Sequence, residues 1–431
     1  MEKFVIEGGY PLRGVVAASG NKNAALKLLP ACLLTDEPVV LHNIPDIADV
    51  RTMRAILTDL GVEIEDLGKG SLRVHAREVV KTRADSELVN RIRASIVLAG
   101  PMLARMGFLE MAPPGGDVIG RRRVDTHVLA LRALGAQVEI NRGFRFRADR
   151  LRGTEILLDE ASVTATENAI MAAVTAQGTT VIRNAASEPH VQDLCHFLNG
   201  LGAQIEGIGS NVLTIQGVER LRGGEYTIGA DYLEVASFIA AAAVTDGEIT
   251  IRNADPHHLG MIRLVFGKLG VRWEDRGKDV FVPRGQSLTV VPDVGDAIPE
   301  IKDMPWPAFP SDLMSIALVV ATQAAGTVLF HEWMYENRLF FVDKLVYMGA
   351  RIVLCDPHRC LVQGPSWLHG DRMESPDIRA GMALIIAALA ARGTSEIRNI
   401  RQIDRGYERV DEKLRSLGAR IWRVVDEGDP R

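Results

Sequence analysis

Thr166-Glu167-Asn168-Ala169-Ile170-Met171-Ala172-Ala173-Val174 reads as a helix ended by Gly178, and Thr179-Thr180-Val181-Ile182-Arg183 follows as a β-branched strand. A second helix then carries Val191, Leu194, Leu198 and Leu201 on one face and stops at Gly202. Gln204 to Glu206 and Val212 to Gln216 read as a hairpin. Counting the strand that enters it, the unit is β-α-β-α-β-β. Its clearest punctuation, an apolar residue followed by glycine, recurs as Leu60-Gly61, Leu134-Gly135, Leu201-Gly202, Leu269-Gly270, Met348-Gly349 and Leu417-Gly418. Successive glycines lie 74, 67, 68, 79 and 69 residues apart, a quasi-period that runs the length of the chain. One unit is too small to bury its own faces, so six units imply two α/β domains of three units each. An extended solenoid is the alternative, but the period exceeds the usual ~20 to 50 residues of such arrays.

Composition agrees with two cores, since 431 residues exceed what one core usually supports. An apolar fraction of 47%, a charged fraction of 24% and a net charge of −5 describe an ordinary globular chain with no general affinity for nucleic acid. Met1 to Glu7 lacks the pattern of a secretory signal, and the most apolar stretches, Ser237 to Val244 and Ala380 to Ala391, are too short to span a bilayer. A cytoplasmic protein without a membrane partner is expected. Four cysteines, Cys32, Cys195, Cys355 and Cys360, suit reduced thiols. Cys355 and Cys360 bracket a turn, with no second ligand pair to make a metal site.

Charged residues recur at element ends. Gly20-Asn21-Lys22-Asn23 lies between a strand, Val15 to Ser19, and a helix, Ala24 to Leu29. Lysine and amides at a helix N-terminus suit an anion, though a solvated lysine beside a cap has the same sequence. Pro113-Pro114-Gly115-Gly116-Asp117-Val118-Ile119-Gly120-Arg121-Arg122-Arg123 describes a loop tip with a carboxylate beside a cation cluster, which suits a phosphate or carboxylate ligand and equally a basic surface loop. Pro-rich sequence from Pro292 to Pro310 is expected as one long ordered loop before Ser311-Asp312. By repeat phase, Asp312 and Asp377 open equivalent helices, as do Arg338 and Arg405 half a unit later. Caps explain aspartates easily; the arginines have no such explanation.

Ser19 to Leu26, Pro114 to Gly120, Ala308-Phe309-Pro310-Ser311-Asp312 and Gln402 to Arg409 together closely resemble the UDP-N-acetylglucosamine enolpyruvyl transferase family, over Phe4 to about Val424. The resemblance implies a two-domain inside-out α/β barrel, with residues 22–229 as one domain carrying a lid loop at 113–123, and residues 1–21 with 230–431 as the other. It implies transfer of the enolpyruvyl group of phosphoenolpyruvate to a sugar 3-hydroxyl of UDP-N-acetylglucosamine, with no cofactor and no metal. By the same resemblance Asp312 meets the attacking hydroxyl, and Asp117 stands where many members carry cysteine. Lys22, Arg122 and Arg405 surround phosphate, Arg338 and Arg379 hold the phosphoenolpyruvate side, and Asn23 with Arg93 orders substrate. Ser162, Val163 and Met334 fall in segments that contact the sugar nucleotide. Val97, Arg123, Glu160 and Thr164 stand where Trp, Pro, Lys and Gly are common. These departures keep open a relative acting on another uridine nucleotide, and a non-catalytic nucleotide-sugar binder on the same scaffold remains the rival from a different class. The shikimate-pathway relatives share fold and reaction, but their Lys-Ser and Gly-Asn-Ser-Gly-Thr signatures have no counterpart here.

Overall fold

The computed structural model describes residues 2–117 and 119–425. Val118 of the expected lid loop, and residues 1 and 426–431 of the second expected domain, lie outside the described residues. The repeat punctuation is realised at all six positions. Each of the six glycines has a left-handed φ, from 83° at Gly270 to 104° at Gly61. In every copy the glycine N–H donates to the carbonyl three residues back, and the next residue's N–H donates to the carbonyl five back, as in Gly202 to Asn199 and Ala203 to Leu198, both at 3.0 Å. Two orphan carbonyls are satisfied at each helix end, and the apolar residue before the glycine is buried in all six copies.

The residues group into two compact units. One holds the described residues of Met1–Ser19, Val118–Arg121 and Ala230–Arg431, and the other holds Gly20–Asp117 and Arg122–Gly229. In the first, three four-stranded sheets share one plan. Each has a parallel pair, such as Glu300–Lys302 beside Gly326–His331, extended by two antiparallel strands, here the hairpin Arg359–Gly364 and Arg351–Asp356, and in one sheet Glu2–Glu7 and Arg420–Val425 from opposite ends of the sequence. Helices Tyr232–Val244, Met314–Gln323 and Ile378–Ala390 pack against one another with nearly every residue buried. Being apolar all round, they can exist only inside, so the sheets lie outside them. The second unit repeats the plan with two four-stranded sheets and one of three strands, whose missing edge is reduced to a bridge between Arg83 and Glu110. Its helices Ala99–Met106 and Val163–Ala173 pack directly. This helix-inside arrangement is that of the expected fold; among the described residues no sheet closes into a barrel.

Some boundaries differ from expectation. The helix expected from Thr166 starts at Val163, because the Ser162 side chain accepts the Ala165 N–H and caps it there. The strand expected at Val15 to Ser19 runs Arg13–Ala17, and its following helix is Lys22–Ala31, capped by Asn21. The Pro-rich stretch is not one loop, since Glu300–Lys302 pairs as the entering strand of the fifth unit. Asp377 caps Ile378–Ala390, whereas Asp312 lies in the short turn Ser311–Leu313 and caps nothing. Arg338 begins the turn Arg338–Phe341, but Arg405 ends Ile400–Arg405. No helix of the described residues is long and apolar enough to cross a membrane.

Substitution at the repeat glycines separates backbone strain from crowding. A Cβ at Gly418 would meet open space, so Gly418→Ala should cost about 1 kcal/mol, the left-handed penalty alone. At Gly270 it would lie 2.6 Å from the Thr289 backbone nitrogen, so Gly270→Ala should cost clearly more. Urea unfolding measures both, and equal costs would show that crowding is irrelevant.

Candidate active site

In the first unit, the turn Ser311–Leu313 presents Asp312 to two buried arginines. Arg338 Nη2 donates to Asp312 Oδ1, and its Nε donates to Ser311 Oγ at 3.2 Å. Arg379, one residue into its helix, donates from Nε to Asp312 Oδ2 at 3.4 Å. The arginine side chains are 7% and 6% exposed, against 30% for Asp312, so the carboxylate lies toward solvent with both cations behind it. Asp377 Oδ1 lies 4.0 Å from Arg338 Nη1, while Oδ1 also accepts the Arg379 and Ala380 N–H groups at the helix start. Burial alone pulls the Arg338 pKa down; the charges led by Asp312 and then Asp377 oppose it, so the guanidinium stays charged. Arg379 lies over the Tyr407 ring at 5.3 Å, and its Nη1 is buried without a hydrogen-bond partner among the described residues.

Behind this cluster Ser311 Oγ donates to Glu332, with Oε1 at 3.0 Å and Oε2 at 3.1 Å, and Oε1 also accepts the Tyr335 N–H at 3.1 Å. Met334 is half-buried in the connection that leads to Arg338. Arg405 is half-buried and donates to Gln402 Oε1 at 2.9 Å. In the same unit the Arg121 N–H donates to Glu336 Oε2, and the Asn337 N–H donates to Ile119 O, each at 3.1 Å.

In the second unit Lys22 is buried at the start of its helix, with Nζ 2.9 Å from Asp49 Oδ2. Asn23 beside it is half-buried. Arg93 Nη2 donates to the Arg122 and Arg123 carbonyls at 2.8 and 2.9 Å, holding the end of the glycine-rich loop. A Cβ at Gly116 would lie 2.7 Å from Arg93 Cβ and 3.3 Å from Arg122 Nη1, so only glycine allows this approach. It brings Arg122 close to the backbone just before half-buried Asp117. Ser162 is engaged as a helix cap, and Val163 packs on the core. Beside them buried His127 is held neutral, its pKa lowered to about 3 by burial and by Arg93. Asn168 Nδ2 donates to its Nδ1 at 2.9 Å, so its Nε2 carries the proton toward Thr164 Oγ1 at 3.0 Å.

The structure brings together Asp312, Arg338 and Arg379, which the sequence resemblance named as separate site residues, and it joins Arg93 to the Arg122 carbonyl, a contact the sequence did not suggest. The sequence reading missed Asp49, which reads as an ordinary first-turn acid, and Glu332, at a strand end with no local signature. Nothing in their sequence neighbourhoods specifies a partner. Among the described residues no group of three or more histidines, cysteines or acids is arranged to hold a metal.

Comparison with known proteins gives this geometry a context. The profile of EPSP synthase (3-phosphoshikimate 1-carboxyvinyltransferase) matches residues 6–414. The UDP-N-acetylglucosamine 1-carboxyvinyltransferase of Treponema denticola is 54% identical over 98% of this chain and 99% of its own. That of Borreliella burgdorferi is 55% identical over 99% of this chain and all of its own. The enolpyruvyl transferase NikO from Streptomyces tendae superposes with a TM-score of 0.87 at 25% identity, covering 98% of each chain. EPSP synthase from Acinetobacter baumannii, at 17% identity and a TM-score of 0.76 over 99% of this chain and all of its own, shares the fold.

The Lys22 and Asp49 pair permits a test of what Lys22 is for. Lys22→Met leaves Asp49 buried without this cation and should cost on the order of 3 kcal/mol, whereas adding Asp49→Leu should recover most of it. Urea unfolding reads the recovery. Activity should stay low in the double variant; its return would make Lys22 a purely structural residue.

Proposed function

The chain belongs to the EPSP synthase family of enolpyruvyl transferases, and we propose that it moves the enolpyruvyl group of phosphoenolpyruvate to the 3-hydroxyl of UDP-N-acetylglucosamine, releasing phosphate. This is the first committed step of peptidoglycan synthesis. Relatives of 54–55% identity over nearly their whole length carry that activity in their names, which favours this acceptor. The observation that carries the chemistry is partly exposed Asp312 gripped by two buried guanidiniums.

In the reaction we infer, the sugar oxygen attacks C2 of phosphoenolpyruvate while a proton is delivered to C3. Loss of phosphate from C2 and of a proton from C3 then restores the double bond. Arg338 and Arg379 turn from Asp312 to the phosphoenolpyruvate anion, which frees a carboxylate oxygen to accept the hydroxyl proton. Lys22, Arg122 and Arg405 take the phosphate, and Asn23 and Arg93 order the substrates. Ser162 and Val163 meet the nucleotide, and Met334 is a further substrate contact. Asp117 takes the place of the family's cysteine as the acid at C3 or at the departing phosphate. A non-catalytic binder on this scaffold would be expected to lose charged groups here, and Lys22, Arg122, Asp312, Arg338, Arg379 and Arg405 are all present. The reaction balances without a cofactor or nucleic acid, and four free thiols accord with work in the cytoplasm.

Phosphate release with phosphoenolpyruvate should require UDP-N-acetylglucosamine and not occur with UMP or shikimate 3-phosphate; preference for either substitute would sink the acceptor assignment. Arg379→Lys should lower kcat/KM for phosphoenolpyruvate by on the order of 10- to 100-fold, the worth of about 1.5–3 kcal/mol for a charged hydrogen bond. An unchanged value removes Arg379 from the site. The epoxide fosfomycin, which alkylates the family's lid-loop cysteine, should leave this protein active and inactivate Asp117→Cys. Time-dependent loss of activity in the natural protein, with an adduct on the loop, would contradict the role given to Asp117.

A further inference from the structure

Two acids lie side by side behind the arginine cluster, placed there by strand register. Lys302 pairs with His331 in the parallel ladder, so the next residues, Asp303 and Glu332, leave the ends of adjacent strands together. Alternation puts them on the face of Ile301 and Phe330, which is the core face, and both acids are 0% exposed. The partners of each are specific. Asp303 Oδ1 accepts the Trp333 N–H, while Asp303 Oδ2 is buried with no donor among the described residues. Glu332 accepts the Ser311 hydroxyl and the Tyr335 N–H, and Ser311 accepts from Arg338.

Two ionised carboxylates cannot share such a dry site without strong repulsion. One proton removes the conflict: carried by Glu332, it satisfies the orphaned Asp303 Oδ2. Burial first, then the hydrogen bond to Asp303 and the charge of Asp303, push the Glu332 pKa up to about 9, against the opposing pull of Arg338 and Ser311. The other charged or titratable groups around the pair are Asp312 and Asp377 beyond Arg338, Tyr335, and His358, whose Nδ1 meets the Glu332 carbonyl oxygen at 2.7 Å.

We propose that Asp303 and Glu332 form a one-proton carboxyl pair that sets the charge behind Arg338. With the proton in place, Glu332 is a neutral acceptor for Ser311 and leaves the positive charge of Arg338 to Asp312 and to the substrate anion. Loss of the proton would add a further carboxylate competing for the same guanidinium. Asp303 and Glu332 are thus positioning residues that act through Ser311 and Arg338. The inference rests on the enolpyruvyl-transfer reading only for the identity of that anion.

Infrared difference spectra between the natural protein and Glu332→Gln test the proton without any substrate. They should contain a protonated-carboxyl band at neutral pH that disappears as pH passes about 9, and the subtraction separates it from Glu167, another buried acid with a pKa raised to about 8. In Asp303→Asn the band should disappear at lower pH, because the neighbouring charge is gone. The KM for phosphoenolpyruvate should rise severalfold over the alkaline range in the natural protein, rise at lower pH in Asp303→Asn, and lose this rise in Glu332→Gln. Absence of the band at neutral pH overturns the proposal, and so does an alkaline rise that Glu332→Gln leaves in place. If the natural protein releases no phosphate at any pH, the enolpyruvyl reading fails separately. Calorimetric binding of phosphoenolpyruvate and of inorganic phosphate across the same three proteins then makes the same comparison, and an alkaline loss of affinity unchanged in Glu332→Gln overturns the proposal.

Discussion

Helices that are apolar all round impose the constraint from which the rest of this structure follows. Tyr232–Val244, Met314–Gln323 and Ile378–Ala390 expose almost nothing, so each must be covered on every side. A single sheet covers one side, and three repeated units supply the rest. The outer helix of each unit has a different duty. It must stop sharply so that the chain can return as an antiparallel strand, and a left-handed glycine with its two paired carbonyls does this six times. The repeat in the sequence is therefore the trace of a geometric requirement, with each copy reproducing one turn of chain.

The same plan explains where the charges collect. Inner helices begin at the ends of parallel strands, where backbone N–H groups are unsatisfied and anions are favoured. Asn21 and Asp377 fill two of these starts as caps, and Lys22 and Arg379 follow them within the next two residues. A cation just inside an inner helix has no solvent to retreat to and must find acid partners: Asp49 for Lys22, and Asp312 for Arg379. Buried arginines held by a carboxylate that is itself partly exposed form a site whose pairing an anionic substrate can take over. The proton shared behind Arg338 belongs to the same economy of charge, because a further ionised acid would spend the cation before substrate arrived.

The sequence by itself determined the six units, their order, their helix stops and most strands, since those depend on residue spacing within a few turns of chain. The hairpin strands Gln204–Glu206 and Val212–Gln216 and the strand Thr179–Arg183 are legible residue by residue. It also marked Asp312, Arg338 and Arg379 as site candidates, through the family resemblance of the segments around them. Tertiary structure alone decided that Ser162 starts its helix early, that Glu300–Lys302 pairs within a Pro-rich stretch, and that Asp49 and Glu332 join charged clusters. Each of these depends on a partner distant in the chain or on a side chain meeting one particular backbone N–H. Local composition does not encode that choice: an acid in a first helical turn or at a strand end looks the same whether it faces water or a buried cation. What distinguishes them is the low-dielectric space created only when three units pack together.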